Sequence, residues 1–328
     1  MKVVVFDTHK YEKEIFEKWN KQFNFDLTYF ENRLNENTVN LCQGFDVVVC
    51  FVNDKVNRHV IHQMKKMNIQ LIATRSAGFN HIDIDCAKEL NIPVTRVPEY
   101  SPHAVAEFAA ALLMTLNRKI HKSYLRVHEL NFSLEGLTGF DLYNKTVGVI
   151  GTGKIGKIFT DIMLGFGCKV LAYDQNINTT VDSKAKYCSL SEIYKQSDII
   201  SLHVPLNKGT KHLINQDSIS KMKDGVFIIN TGRGGLIHSQ ALIQGLKSKK
   251  IGGAALDVYE EEEGIFFEDH STCGIDDDLL ARLITFPNVL ITSHQAFLTT
   301  EALEKIVQTT FESIQQFKQK NILINTIY

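Results

Sequence analysis

Residues 147–174 read VGVIGTGKIGKIFTDIMLGFGCKVLAYD, and no other stretch limits the possible folds as strongly. An apolar run, Val147 to Ile150, enters a turn containing Gly151, Gly153 and Gly156. A helical stretch follows, then a second apolar run, Val170 to Tyr173, that ends on Asp174. The order is strand, glycine turn, helix, strand, acid. Gly151 permits the tight turn out of the strand. Gly153 lets the backbone approach a pyrophosphate with no side chain in the way, and Gly156 lets the helix pack close to the strand. Lys154 and Ile155 open the helix, where unused N–H groups and the positive end of the dipole suit an anion. Asp174 lies 23 residues after Gly151, at the tip of the next strand, where a carboxylate can accept from the adenosine ribose hydroxyls. It would repel a 2′-phosphate, and Gln175 and Asn176 follow it where an Arg would be needed, so NAD is favoured over NADP.

Around this unit the chain is long enough for about two domains, with 328 residues of which 44% are hydrophobic. A net charge of −1 implies no general attraction to nucleic acid or to an anionic membrane. The cysteines form no C-x-x-C pair and read as small buried hydrophobes of a reducing compartment. His59 and His62 lack a companion acid or cysteine, so no metal site is expected. The start, MKVVVFDTHK, meets an acid too early for a signal peptide. No run approaches the ~18 apolar residues of a membrane span. The expectation is a soluble, cytoplasmic protein.

Before residue 100, apolar runs at Val3–Phe6, Val47–Phe51, Leu71–Thr74 and Val94–Val97 alternate with helical patterns at Tyr11–Phe23, Val56–Met67 and Ile84–Leu90. Such alternation predicts a mostly parallel sheet with helices on both faces. Ser101-Pro102 then opens a long helix whose stripe runs from Val105 to Ile120, part of it core and part a subunit contact. From 146 the rhythm restarts, with strands expected at 147–150, 170–173, 198–202, 226–230, 253–256 and 289–292, a six-stranded sheet. Thr299–Lys318 reads as one amphipathic helix. Too little chain remains there for a third domain. The economical arrangement is two doubly wound α/β domains: 1–100 with 299–328 forming a discontinuous substrate domain of flavodoxin-like type, and 101–298 a Rossmann domain inserted into it. Most of the charge run Glu260–Glu263 is expected to be a solvated loop.

Ligands of open α/β sheets bind beyond the carboxyl ends of the strands. There the second domain gathers His203-Val204-Pro205, then Asn230-Thr231-Gly232-Arg233-Gly234, then Asp257 with Glu260 to Glu262, then Ser293-His294. A purely structural domain has no need to collect Arg, acid and His along one edge.

With these residues in place the chain resembles the D-2-hydroxyacid dehydrogenases. The matching stretches are RSAGFNHID (75–83), VPEYSPHAVAE (97–107), VGVIGTGKIG (147–156), HVPL (203–206), FIINTGRGGLI (227–237), AALDVYEEE (254–262) and SHQAF (293–297). Within the family, EYSP, FFED (266–269) and HQAFLT (294–299) resemble the fermentative D-lactate dehydrogenases, which implies reversible reduction of pyruvate by NADH. By this resemblance Arg233 clamps the substrate carboxylate and polarises the 2-oxo group, as a planar, permanently charged fork can. His294 is the acid/base. Glu262 pairs with it, favours the charged imidazole and fixes its orientation. Tyr100 and the backbone at Ala77-Gly78 hold the carboxylate, and Phe297 walls the pocket. Thr231 and Asp257 line the nicotinamide side. His203, Val204 and Pro205 lie near the adenosine, His203 having a purely structural reading as well. The expected partners are pyruvate or D-lactate and further copies of the chain, as a dimer or tetramer. A larger 2-oxo acid such as 2-oxoisocaproate is the nearest alternative substrate, and an NAD-sensing regulator without activity a more distant reading. His103 departs from the Asn common after Ser-Pro in the family.

Overall fold

The structure is a computed structural model that describes residues 1–320 and 322–328. The residues form two compact units, Met1–Ser101 with Leu298–Tyr328, and Pro102–Phe297.

The first unit holds five parallel strands, β1 (Lys2–Val5), β2 (Asp26–Tyr29), β3 (Val47–Cys50), β4 (Leu71–Thr74) and β5 (Val94–Thr95), in the order β2-β1-β3-β4-β5. Both faces are buried, which explains why the strands read as continuous apolar runs rather than alternating ones. Val4, Val48 and Ile72 pack to one side, Val3, Val47 and Leu71 to the other. β2 was not expected from sequence. It is an edge strand, DLTY, partly exposed along its length, and its only apolar signal is the short alternation of Leu27 and Tyr29, which pack on the core beside Phe25. The helix expected from Val56 begins at Arg58, because the Asn57 side chain caps it by accepting from Val60 N at 3.1 Å. The C-terminal helix Thr300–Lys318 starts where Thr299 accepts from Ala302 N and returns to the first sheet. Its Val307, Phe311 and Ile314 join Phe16 of the helix Lys10–Phe23 in one core. Burying a side chain such as Phe311 contributes roughly 2–3 kcal/mol.

The second unit holds seven parallel strands, one more than expected: β6 (Thr146–Ile150), β7 (Lys169–Tyr173), β8 (Lys186–Tyr187), β9 (Ile199–Leu202), β10 (Val226–Asn230), β11 (Ile251–Leu256) and β12 (Val289–Ile291). Their order is β12-β11-β10-β9-β6-β7-β8. The added strand, β8, has two residues and no apolar run to betray it. The order reverses between β6 and β9, so the turns after these two strands open a crevice at the sheet's carboxyl edge. The long helix is shorter than its stripe suggested. It spans Pro102–Arg118 and breaks at Lys119, whose φ is +52°; Ile120 starts a separate helix, Ile120–His128, and is 52% exposed. Among the described residues no helix is long and apolar enough to cross a membrane.

Candidate active site

The glycine turn after β6 is built as its residue types require. Gly151 has φ +97°, and a Cβ there would lie 2.4 Å from the His203 carbonyl oxygen. A Cβ on Gly156 would overlap the Gly151 carbonyl oxygen at 1.9 Å, so the helix Lys154–Gly165 can approach the turn only with glycine there. Gly153 differs from both: it is exposed, and a Cβ on it would meet nothing within 4 Å. The space beside the helix start is therefore open, as a pyrophosphate needs. Lys154 is exposed and Ile155 half-buried at that start.

Asp174 has a second job that its motif did not reveal. Its Oδ2 accepts from Thr152 N at 2.7 Å and from the Thr152 hydroxyl at 3.2 Å, while Oδ1 accepts from Asn176 N at 3.0 Å. The Tyr187 hydroxyl donates to Thr152 Oγ1 at 2.6 Å, and Asn178 Nδ2 donates to the Thr152 carbonyl at 2.9 Å. Thr152, Asn178 and Tyr187 thus brace the turn. None stood out in the sequence, since their relation to it exists only once β8 is placed. Oδ1 keeps acceptor capacity for a ribose hydroxyl.

His203 follows β9, and its main-chain N–H donates to Ile150 O at 2.7 Å, tying the two switch-point strands together. Its Nε2 meets Ser201 Oγ at 2.9 Å and its ring lies 4.9 Å from that of Phe159. Burial pushes the imidazole pKa down to about 3, so it is neutral near pH 7. Val204 is half-buried against the Gly151 turn and Pro205 is exposed. Thr231, after β10, is 7% exposed, and its hydroxyl has no partner among the described residues. An orphaned buried hydroxyl at the edge where a dinucleotide would lie fits a ligand group as its missing partner.

Arg233, Glu262 and His294 follow β10, β11 and β12, three neighbouring strands in parallel register. The Asn230 side chain shapes the arginine turn, accepting from Gly232 N at 3.0 Å and donating to Arg233 O at 2.9 Å. Gly234 must be glycine, because a Cβ would sit 1.8 Å from Tyr259 O. Arg233 is half-buried and its Nη1 donates to Gly232 O at 2.7 Å. Among the described residues no carboxylate pairs with it, and its Nε and Nη2 have no acceptor. A half-buried guanidinium without a counter-charge suits an anionic ligand.

His294 Nδ1 bonds Glu262 Oε1 at 2.7 Å. The other oxygen of Glu262 accepts from Tyr259 N at 2.9 Å, which holds the carboxylate in place. Nε2 of His294 has no partner among the described residues, so the pair leaves one ring nitrogen available. The backbone of His294 is in the left-handed region, φ +54°. Asp257 holds it there. Its fully buried carboxylate accepts from the Thr292 hydroxyl and Gln295 N on Oδ1, and from Ala296 N on Oδ2, at 2.6, 2.9 and 2.8 Å. The Asp257 main-chain oxygen accepts from His294 N at 2.7 Å. Burial raises the Asp257 pKa and these hydrogen bonds oppose the rise. Sequence reasoning assigned Asp257 to the nicotinamide side and gave no hint of this scaffold.

Within the acidic run, Glu261 and Glu263 are exposed, whereas Glu260 is not a loop charge in solvent. It accepts from Ser239 N at 3.0 Å and Ser239 Oγ at 2.9 Å and pairs with His212. In the first unit, Ala77 and Gly78 follow β4 and are half-buried, as is Tyr100. Phe297 is half-buried at the end of the second unit.

Residues 110–296 match the model of the D-isomer specific 2-hydroxyacid dehydrogenase NAD binding domain. The chain belongs to the D-isomer specific 2-hydroxyacid dehydrogenase family. It is 47% identical to the D-lactate dehydrogenase of Escherichia coli over 320 residues, 97% of each chain. The apo-structure of D-lactate dehydrogenase from Escherichia coli superposes with a TM-score of 0.93 at 44% identity, covering 100% of both chains. D-lactate dehydrogenase with NAD+ from Lactobacillus jensenii gives 0.84 at 30% identity, again over 100% of both. The cofactor of this family domain is NAD, and the open glycine turn, the spare acceptor capacity of Asp174 and the orphaned Thr231 hydroxyl fit it.

Proposed function

We propose that the chain is an NAD-dependent D-lactate dehydrogenase that reduces pyruvate reversibly. The observation that carries this is the His294–Glu262 pair, with Nδ1 engaged and Nε2 available, on the strand edge that also bears the unpaired Arg233. The pyruvate carboxylate takes the Nε and Nη2 edge of Arg233, which also draws electron density from the 2-oxo group. NADH, when bound, supplies the hydride that reduces the carbonyl carbon. His294 gives its Nε2 proton to the carbonyl oxygen, and Glu262 stabilises the imidazolium before that transfer. Neutral His294 takes the proton back when D-lactate is oxidised. By the family resemblance, the N–H groups of Ala77 and Gly78 are further donors for the carboxylate, and Tyr100 and Phe297 are the remaining substrate residues of this reading. Thr231, Asp174, His203 and the glycine turn serve the cofactor.

The relatives' names support the D stereochemistry and the small substrate. NADH oxidation with pyruvate, glyoxylate, hydroxypyruvate and 2-oxoisocaproate, followed by chiral analysis of the product, tests the proposal. Pyruvate should lead in kcat/KM and yield D-lactate. A preference for 2-oxoisocaproate would replace the substrate, and no turnover with any acid would leave the regulator reading.

The protein is proposed to work in the cytoplasm as a homo-oligomer. Tyr124, Leu125, Leu130, Phe132 and Leu134 are 59–81% exposed, and five such side chains so close in sequence form apolar surface that a second copy would cover. Sedimentation should show a dimer or larger, and Phe132→Asp with Leu134→Asp should release monomer.

A further inference from the structure

The stretch after β4, Ser76-Ala77-Gly78-Phe79, has three successive carbonyls that are each held by a different donor. Val97 N donates to Ser76 O at 3.1 Å, Arg96 Nη1 to Ala77 O at 3.1 Å, and the Ser76 hydroxyl to Gly78 O at 2.6 Å. A trans peptide is planar, with its C=O and N–H on opposite sides. The N–H groups of Ala77, Gly78 and Phe79 therefore each point away from an anchored carbonyl. None has an acceptor among the described residues. Successive unsatisfied N–H groups of this kind suit an anion.

The Ser76 anchor is itself oriented. A hydroxyl has one proton, and that of Ser76 is spent on a carbonyl, which can only accept. The 2.7 Å bond between Thr74 Oγ1 and Ser76 Oγ must then be donated by Thr74. The 3.3 Å contact of Thr74 Oγ1 with His81 Nε2 must in turn be donated by His81, which fixes the Nε2–H tautomer. Thr74 is 1% and Ser76 6% exposed, so water has little access to replace these bonds. Burial lowers the His81 pKa to about 4, so the ring is neutral and has a single N–H near pH 7.

We propose that His81, Thr74 and Ser76 form a one-way hydrogen-bond chain that, through Gly78 O, sets the direction of the Phe79 N–H and makes it a third donor to the substrate carboxylate beside the Ala77 and Gly78 N–H groups, which Val97 N and Arg96 orient through Ser76 O and Ala77 O. These are positioning residues: none need touch substrate. The proposal rests on the 2-oxo acid reductase reading above. It predicts a loss in substrate affinity confined to the carboxylate, with hydride transfer and cofactor binding spared.

Thr74→Val keeps the shape and removes the hydroxyl; Thr74→Ser keeps the hydroxyl. Ser76→Ala cuts the chain one step later and serves if the valine variant does not fold. Thr74→Val and Ser76→Ala should each raise the KM for pyruvate about tenfold, the worth of roughly one well-placed hydrogen bond. Their kcat should stay within about threefold and their dissociation constant for NADH should not move, while Thr74→Ser should restore the natural KM. In the imidazole 15N spectrum, assigned by the signals missing from His81→Gln, His81 should be the Nε2–H tautomer. A folded Ser76→Ala or Thr74→Val protein with natural KM, a Thr74→Ser protein as impaired as the valine, or an Nδ1–H His81 overturns the chain. A natural protein that reduces no 2-oxo acid overturns the proposed function instead, and is told apart because the natural chain, not only its variants, is silent.

Discussion

Asp257→Asn is the most informative single change in the second unit. The side chain is fully buried and its carboxylate is matched to three donors: the Thr292 hydroxyl and Gln295 N on one oxygen, Ala296 N on the other. An amide has the same size but one acceptor oxygen. With that oxygen toward Thr292 and Gln295, its NH2 faces the Ala296 N–H. Flipped, its NH2 faces the Gln295 N–H. Either way a backbone donor is left opposite another donor. Losing one charge-assisted bond and stranding its donor costs about 3 kcal/mol, less a part recovered because a buried charge is removed. The net, about 2–3 kcal/mol, corresponds to a fall in Tm of roughly 4–12 °C for a unit of this size.

The same loosening reaches His294. A non-glycine residue in the left-handed region costs roughly 1–2 kcal/mol, and the bonds from the 292–296 segment to Asp257 hold it there. If the relaxed turn becomes favoured by about 1.4 kcal/mol, the fraction with Nε2 correctly placed falls about tenfold. The assay is kcat and KM for pyruvate at saturating NADH, with NADH affinity by fluorescence and Tm by calorimetry. We expect kcat to fall about tenfold or more, and Tm to fall with it. An Asn variant with Tm within about 1 °C and kcat within about twofold of the natural protein would refute the scaffold argument.

Arg233→Lys should lose about 2–4 kcal/mol of transition-state stabilisation, thirtyfold or more in kcat/KM, because a point charge cannot present the Nε and Nη2 edge; a Lys variant within threefold of natural would contradict the role. Asp174→Ala should weaken NADH and narrow its advantage over NADPH, and should also loosen the turn by orphaning Thr152 N; unchanged discrimination measured with both cofactors would remove Asp174 from the ribose site. Phe297→Gly should move kcat/KM from pyruvate toward 2-oxoisocaproate, each added methylene being worth roughly 1–3 kcal/mol, and an unmoved ratio would place Phe297 outside the pocket. His203 gives a pH signature: its folded pKa of about 3 lies below the unfolded value of ~6.5, so its contribution to stability is complete above ~6.5 and is lost as pH falls toward 3. That amounts to about 2 kcal/mol by pH 5, and unfolding followed from pH 7 to 5 should show a shallower loss in His203→Gln than in the natural chain.

The elements most legible in the sequence were the ones whose cores are buried on both sides. β3, β4, β6 and β10 are all apolar runs because helices cover both faces, and their positions followed from that alone. β2 and β8 escaped because one is a four-residue edge strand whose alternation of Leu27 and Tyr29 is too short to stand out as a run, and the other is only two residues long. The break at Lys119 was equally silent: its left-handed backbone is adopted by a residue with no sequence preference for it, while the apolar stripe ran on past it.

The edge of the second sheet was legible for a topological reason. In a parallel sheet every strand ends on the same side, so a polar cluster after each of several strands marks one place even when the strands lie far apart in sequence. What could not be read was how each polar group divides its hydrogen bonds there. Asp174 spends both oxygens partly on the glycine turn, His203 ties β6 to β9, and Asp257 builds the turn of His294. Each is a long-range relation, fixed only when the partner strand is in place. A carboxylate oxygen can accept more than one bond, so scaffold duty does not remove these residues from a ligand. It does mean that a loss of binding on substituting them cannot by itself be assigned to a lost ligand contact. Asn at 257 and Ala at 174 therefore need a stability readout beside the kinetic one, whereas Arg233, with one main-chain bond and an unpaired edge, can be read from kinetics directly.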